Sequence, residues 1–256
     1  MAKGVVYLVG AGPGAADLLT LRAARLIESA DVLVYDRLVG AEILALAPRG
    51  VPRFDVGKQP KLHPVPQDQI NSMLARLAER HTRVVRLKGG DPLLFGRGGE
   101  EAEYLARARV PFEIVPGVTA VQASAATLGL PLTLRGCANS LRLMTGHGKE
   151  DSELDYDWRA LADPRTTLAI YMGLANIAAI AEKLMAHGRA PATPVVAIAR
   201  ATLPDQRHVA TRLDRVAANI VEAGLASPVL FIVGEAAGHL LRVQATAAEA
   251  ETRHAV

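Results

Sequence analysis

The sequence predicts two α/β domains with a cofactor cleft between them, and three observations carry the fold. Short apolar runs alternate with longer amphipathic stretches, the βαβ rhythm of helices packed on a mostly parallel sheet. Half of the residues are hydrophobic while 4% are aromatic, so Ala, Val, Leu and Ile fill the core, as they do where helices cover a parallel sheet. Midway, Val115-Pro116-Gly117 breaks the pattern, because proline restricts the residue before it and glycine frees the chain to turn. The inter-domain crossing is placed there. It gives an N-terminal α/β domain over 1–115, a C-terminal one over 116–243, and a frayed tail over 244–256 that is rich in Ala and Glu.

In chain order, Val5 to Val9 reads as a strand, followed by a Gly-Pro turn and a helix from about Asp17 to Ser29. Asp31 to Tyr35 is the next strand. Gln67 to Arg80 is helical, with Ile70, Leu74 and Leu77 at helix spacing. Arg83 to Leu87 is a strand, Gly99 to Arg109 a helix and Phe112 to Val115 a strand. Past the crossing come a helix (Val118 to Leu128), strands near Leu141 to Met144 and Thr167 to Tyr171, and a helix from about Ala175 to His187. Strands at Val195 to Ala199 and Arg207 to Thr211, a helix from Leu213 to Glu222 and the apolar strand Val229 to Val233 complete this half.

Composition narrows the function classes. The net charge of +3 fits ordinary surface chemistry or a cationic cleft for an anionic ligand. No run of five or more Lys and Arg occurs and aromatic residues are scarce, which speaks against a nucleic-acid partner. Cys137 is the single cysteine, which excludes an intrachain disulfide and fits a reducing compartment. The N-terminus lacks the pattern of a signal peptide, and no apolar stretch approaches the roughly 18 residues that span a bilayer. A soluble cytoplasmic protein without a membrane partner is expected. The seven histidines show no paired ligand spacing, so no metal is expected.

Two glycine-rich motifs carry chemistry. Gly10-Ala11-Gly12-Pro13-Gly14-Ala15 follows a strand and nearly matches the dinucleotide fingerprint, in which bare backbone and a helix N-terminus admit a pyrophosphate. Pro13 removes a donor, the last glycine is Ala15, and Asp36 comes too late for the ribose-binding acid. A plain tight turn and a turn admitting another adenosine-bearing ligand both stay open beside a nucleotide-dependent oxidoreductase. Lys88-Gly89-Gly90-Asp91-Pro92 sits directly after a strand, where two glycines let a ligand approach the backbone. Asp91 there accepts ribose hydroxyls or attracts a cationic sulfonium. Gly96-Arg97-Gly98-Gly99-Glu100-Glu101 then opens a helix with carboxylates in its first turn. Glu101 reads as a helix-start residue and nothing more, whereas Arg97, fixed between glycines, reads as functional.

GAGPG, YDRLV, VVRLKGGDPLLFGRGGEE, VPGVTA, TGH and YMG occur in this order. Together they resemble the tetrapyrrole methylase family over about Gly4 to Gly234, nearly the whole chain. YDRLV, Gly57-Lys58 and LTLRG at Leu132 to Gly136 are most similar to members that methylate uroporphyrinogen III rather than later corrin intermediates. The resemblance implies two α/β domains holding S-adenosylmethionine between them, a homodimer, and release of S-adenosylhomocysteine after methylation at C-2 and C-7. By matching motif positions, it implies that Pro13, Gly89, Gly90, Asp91, Leu94, Thr119, Ala120, Met172 and Ala201 bind the cofactor. Arg97, Glu100 and Arg135 would face the substrate, Glu100 holding Arg97 or meeting a pyrrole N–H. Asp36 and Lys58 match positions proposed as acid and base; Asp36 pairing near Arg37, and Lys58 binding a propionate, are the plainer alternatives. Two departures concern local detail: Ala15 stands where an Asp is usual, with Asp17 expected to cap the helix instead, and Gln59 replaces a usual Arg.

Overall fold

The computed structural model describes residues 3–57, 65–148 and 154–239, and the chain divides into two compact units, Met1–Ala120 and Val121–Val256. In the first unit, β1 (Val5–Gly10), β2 (Val32–Tyr35), β3 (Arg53–Asp55), β4 (Arg83–Lys88) and β5 (Phe112–Val115) form one sheet in the order β3-β2-β4-β1-β5. Every neighbouring pair is parallel. Alternate residues of these strands face opposite layers. Val9, Leu33, Val85, Leu87 and Val115 meet Ala23 and Ile27 of α1 (Leu21–Glu28) and Ile43 of α2 (Ala41–Ala45). Val6, Leu8, Val32, Val34 and Val84 meet Ile70 and Leu74 of α3 (Gln67–Ala78) and Leu105 of α4 (Gly98–Arg107).

The strand order locates a functional crevice before any motif is considered. The connection leaving β1 runs toward β2 over the α1 layer, whereas the one leaving β4 runs toward β5 over the α4 layer. Adjacent strands whose following loops diverge to opposite faces leave a crevice at their carboxyl ends, the usual ligand position in open parallel sheets. Here those strands are β1 and β4, and their following loops carry the two glycine motifs.

The helix expected from Asp17 to Ser29 is two pieces. A 3₁₀ turn, Ala16–Leu18, ends in extended backbone at Leu19 and Thr20. The α-helix then begins at Leu21, with Thr20 Oγ1 accepting the Ala23 N–H at 3.1 Å. Thr20, not Asp17, is therefore the cap: Asp17 lies inside the 3₁₀ turn, a full break away from the helix it was expected to cap. Neither α2 nor β3 was foreseen. The helix has five residues and all three residues of β3 are exposed, so neither writes an apolar period.

In the second unit, β6 (Ser140–Thr145), β7 (Thr166–Tyr171), β8 (Pro194–Ala199), β9 (Arg207–Arg212) and β10 (Val229–Val233) form a sheet in the order β6-β7-β10-β8-β9. Only β6 and β7 pair in parallel; β10 is antiparallel to both its neighbours, as is β9 to β8. The mostly parallel pairing read from the first half holds for its sheet, and the second sheet is mixed. An apolar period of two reports which residues point inward but not which way a strand runs. One face packs on α6 (Trp158–Leu161), α7 (Ile177–Ala186) and α8 (Val216–Glu222) through Leu161, Ile180, Leu184 and Ile220. The other packs on Val121 and Ala125 of α5 (Ala120–Thr127). The tail over 244–256 lies outside the described residues. Among the described residues no helix is long and apolar enough to cross a membrane.

Leu74 is fully buried between α3 and the first sheet. Leu74→Ala is expected to cost about 2–5 kcal/mol in chemical denaturation, and Thr20→Ala about 1 kcal/mol. A Leu74→Ala protein as stable as the parent would contradict the placement of α3.

Candidate active site

The two glycine motifs meet at the carboxyl ends of β1 and β4. Ala11 donates its N–H to the Lys88 carbonyl at 2.8 Å, and Gly12 and Gly90 exchange backbone hydrogen bonds at 3.2 and 2.7 Å. The chain after β5 joins them. A Cβ on Gly10 would lie 2.5 Å from the Gly117 nitrogen and 2.7 Å from the Gly90 oxygen. A Cβ on Gly117 would land on that same Gly90 oxygen. Three backbone segments therefore touch where only glycine fits. Gly90 differs from the other two: its φ is +69°, yet a Cβ there would meet no atom within 4 Å. The junction is closed on its protein side and open beside Gly90. Pro13 and Gly89 are half-buried next to it, so four of the expected cofactor residues, Pro13, Gly89, Gly90 and Asp91, sit on two loops joined by hydrogen bonds.

Asp91 fastens this junction. Its Oδ1 accepts the Leu93 N–H at 2.8 Å and its Oδ2 accepts the Gly117 N–H at 3.0 Å. The carboxylate thus has a structural duty that its sequence context did not disclose, and a carboxylate oxygen with one donor keeps a second acceptor direction. Beyond it, Phe95 and Arg97 both hold left-handed backbone (φ of +53° and +58°), a conformation that costs non-glycine residues energy and that clusters at functional sites. Leu94 is half-buried in that loop, while Leu38 and Leu93 are exposed large apolar residues; Leu38 reaches the Cα side of Gly89.

Arg97 sits at the N-terminus of α4 and pairs with Glu100 through two hydrogen bonds, Nε to Oε1 at 2.8 Å and Nη2 to Oε2 at 2.6 Å. These bonds hold the guanidinium above its ordinary pKa range against partial desolvation. Both side chains are more than half exposed, so the pair lies at the surface of the loop.

Glu101 corrects the expectation made for it. It is completely buried, and its Oε1 collects three donors: Lys88 Nζ at 2.8 Å, Arg86 Nε at 3.2 Å and Gln67 Nε2 at 3.2 Å. Arg86 and Lys88, also buried, extend to Asp36, with Arg86 Nη2 at 2.6 Å from Oδ1 and Lys88 Nζ at 3.9 Å from Oδ2. Asp36 therefore pairs with β4 and not near Arg37. Burial, then the Arg86 charge, push the Lys88 ammonium below its ordinary range, and the Glu101 and Asp36 carboxylates pull it back. The sequence held a signal for this cluster. Arg86 and Lys88 lie two apart on a central parallel strand, so both charges face one covered layer.

Lys58, the other expected acid or base, lies outside the described residues. In the second unit, Met172 directly follows β7 and Ala201 follows Arg200 at the end of β8. Strands β7 and β8 each oppose β10, so these two positions share one end of the sheet. Met172, Arg200 and Thr202 all hold positive φ (+53°, +53° and +68°), and Met172 is 52% exposed. Tyr171 brings α5 to the same end by accepting the Val121 N–H on its hydroxyl at 3.1 Å; Thr119 and Ala120 immediately precede Val121. Arg135 is exposed in the turn closed by the Leu134–Ala138 bridge. Cys137 is half-buried in that turn. Among the described residues no group of three or more His, Cys, Asp or Glu side chains is arranged to hold a metal ion.

The Gly10–Ala15 turn leads into a 3₁₀ turn instead of an α-helix, which removes the helix N-terminus that a dinucleotide pyrophosphate needs. Comparison with known proteins gives the same direction. Uroporphyrinogen-III C-methyltransferase of Paracoccus denitrificans is 52% identical over 234 residues, covering 91% of this chain and 82% of that protein. Siroheme synthase of Methylococcus capsulatus is 49% identical over 237 residues, 93% of this chain and 50% of that protein; this chain spans half the length of that relative. A solved uroporphyrin-III C-methyltransferase of Thermus thermophilus, complexed with S-adenyl homocysteine, shares 45% identity with a TM-score of 0.79, over 94% of this chain and 100% of that one. The family model of the tetrapyrrole (corrin/porphyrin) methylases matches residues 5–217, and the chain belongs to that family.

Proposed function

We propose that the protein methylates uroporphyrinogen III with S-adenosylmethionine, at C-2 and then C-7, giving precorrin-2 and S-adenosylhomocysteine. The observation that carries this reading is the junction of Gly10, Gly12, Gly90 and Gly117, open only beside Gly90, in a family with a solved member complexed with S-adenyl homocysteine. A cradle bare of side chains next to a carboxylate suits a flat adenosine with a cationic sulfonium. S-adenosylmethionine supplies an already activated methyl group. The chain's own contribution is then positioning and exclusion of water. In this reading Pro13, Gly89, Gly90, Asp91 and Leu94 are cofactor residues, and the family resemblance adds Thr119, Ala120, Met172 and Ala201.

The substrate carries eight carboxylates, and guanidinium groups grip carboxylates in two-point fashion. Arg97 and Arg135 take that role. Arg97 is already gripped by Glu100, so a substrate carboxylate shares or displaces that partner, and a displaced Glu100 is then available to a pyrrole N–H. As the new carbon–carbon bond forms and the carbon–sulfur bond breaks, the macrocycle loses a proton. Asp36, about one third exposed, accepts it, with Lys58 as the second acid–base group. A homodimer in the cytoplasm belongs to the same proposal; the lone Cys137 suits a reducing compartment.

Anaerobic incubation with S-adenosylmethionine and uroporphyrinogen III is expected to add two methyl groups, read by mass spectrometry; an unchanged tetrapyrrole contradicts the proposal. Gly90→Ala is expected to weaken S-adenosylhomocysteine binding at least tenfold in calorimetry while costing only about 1–2 kcal/mol of stability. Gly117→Ala, which has no room, should destabilise the fold more. Equal affinity of the Gly90→Ala and parent proteins would remove the junction from the cofactor site. Arg97→Ala is expected to keep cofactor affinity and lose most turnover. The reverse pattern would reassign Arg97.

A further inference from the structure

We infer that Arg86 and Lys88, locked in place by Glu101, are positioning residues for Asp36: they orient its carboxylate from beneath. The inference deepens the proposed function and rests on Asp36 being the proton acceptor. The geometry is specific. Arg86 spends Nε on Glu101 and Nη2 on Asp36, so one planar group spans a completely buried carboxylate and a partly exposed one. Lys88 repeats the span, 2.8 Å to Glu101 and 3.9 Å to Asp36.

The arrangement is poorly explained as stabilisation alone. Buried ion pairs repay their desolvation only when every polar atom is satisfied. Here, among the described residues, Glu101 Oε2 is buried with no hydrogen-bond partner, although Oε1 takes three donors. One oxygen of Glu101 thus meets both cations. Gln67 on α3, itself bonded to Asn71, completes this anchor. Two cations and two carboxylates make the cluster neutral. A proton arriving on Asp36 removes one of the two carboxylates that pull the Lys88 ammonium back toward its ordinary range. Asp36 and Lys88 thus sense each other's charge. Among the described residues, other charged groups beside the cluster are Arg97, whose guanidinium feels the Glu101 charge, the exposed Arg37 next to Asp36 in the turn, and Asp55 at the end of β3, whose Oδ1 accepts the Gly57 N–H.

The test separates charge from geometry. Turnover against pH is measured for the parent, Lys88→Met, Arg86→Lys and Asp36→Asn, with thermal stability and S-adenosylhomocysteine affinity as controls for folding. Lys88→Met deletes a cation near Asp36, so the acid limb of the profile is expected to move up by about one pH unit. Arg86→Lys keeps the charge but loses the fixed fork, so turnover should fall about tenfold with the limb in place. If Lys88→Met does not fold, Lys88→Met combined with Glu101→Gln, which keeps the cluster neutral, takes its place. An acid limb that stays put when Lys88 is removed overturns the inference, even where stability falls. Asp36→Asn decides the underlying reading independently: full turnover in that variant removes Asp36 as proton acceptor, whereas its loss with intact cofactor affinity leaves the Lys88 result to stand alone.

Discussion

Three backbone segments, the ends of β1, β4 and β5, come together at Gly10, Gly90 and Gly117 so closely that a Cβ on Gly10 or Gly117 would drive them apart. The rest of the candidate site depends on that contact. Because the Gly12 and Gly90 backbones can bond to one another, the loops after β1 and β4 are fixed relative to each other despite departing to opposite faces of the sheet. Asp91 adds the third segment by taking the Gly117 N–H. The crevice that the strand order creates is thereby given a rigid floor with one open side. Rigid placement is what an in-line methyl transfer asks of a protein, since the leaving group needs no further activation.

Around that floor the chain carries strain and buried charge, both of which fold stability alone disfavours. Left-handed backbone at Phe95 and Arg97 holds the loop that presents Arg97 at the surface. Buried Arg86 and Lys88 replace apolar residues on a central strand, where valine or leucine packs without desolvation cost. These two departures lie on either side of the glycine loop in sequence and at the same carboxyl end of the sheet. A fold that tolerates both at one place is using stability to hold functional groups in position.

Much of this was legible in the residues. Strong apolar periods marked β1, β4, α3 and α4, and the glycine motifs identified the two loops that meet. Thr20 was overlooked as a cap because Asp17 stood nearer the expected helix start, and only the extended backbone at Leu19 and Thr20 separates them. Strand direction in the second sheet was not legible, since β10 carries the same apolar pattern whichever way it runs. Glu101 was misread because a carboxylate in a first helical turn is normally solvated. Its meaning depends on Arg86 and Lys88, thirteen or more residues away, and pairing across that distance needs the parallel register to be known.

The central claim is that the junction of Gly10–Gly14, Gly89–Asp91 and Gly117 forms part of the cofactor site. Amide hydrogen exchange with and without S-adenosylhomocysteine tests it most directly. The account predicts added protection in Gly10–Gly14 and in Gly89–Leu94. Binding that protects other segments while leaving both glycine loops unchanged would contradict it.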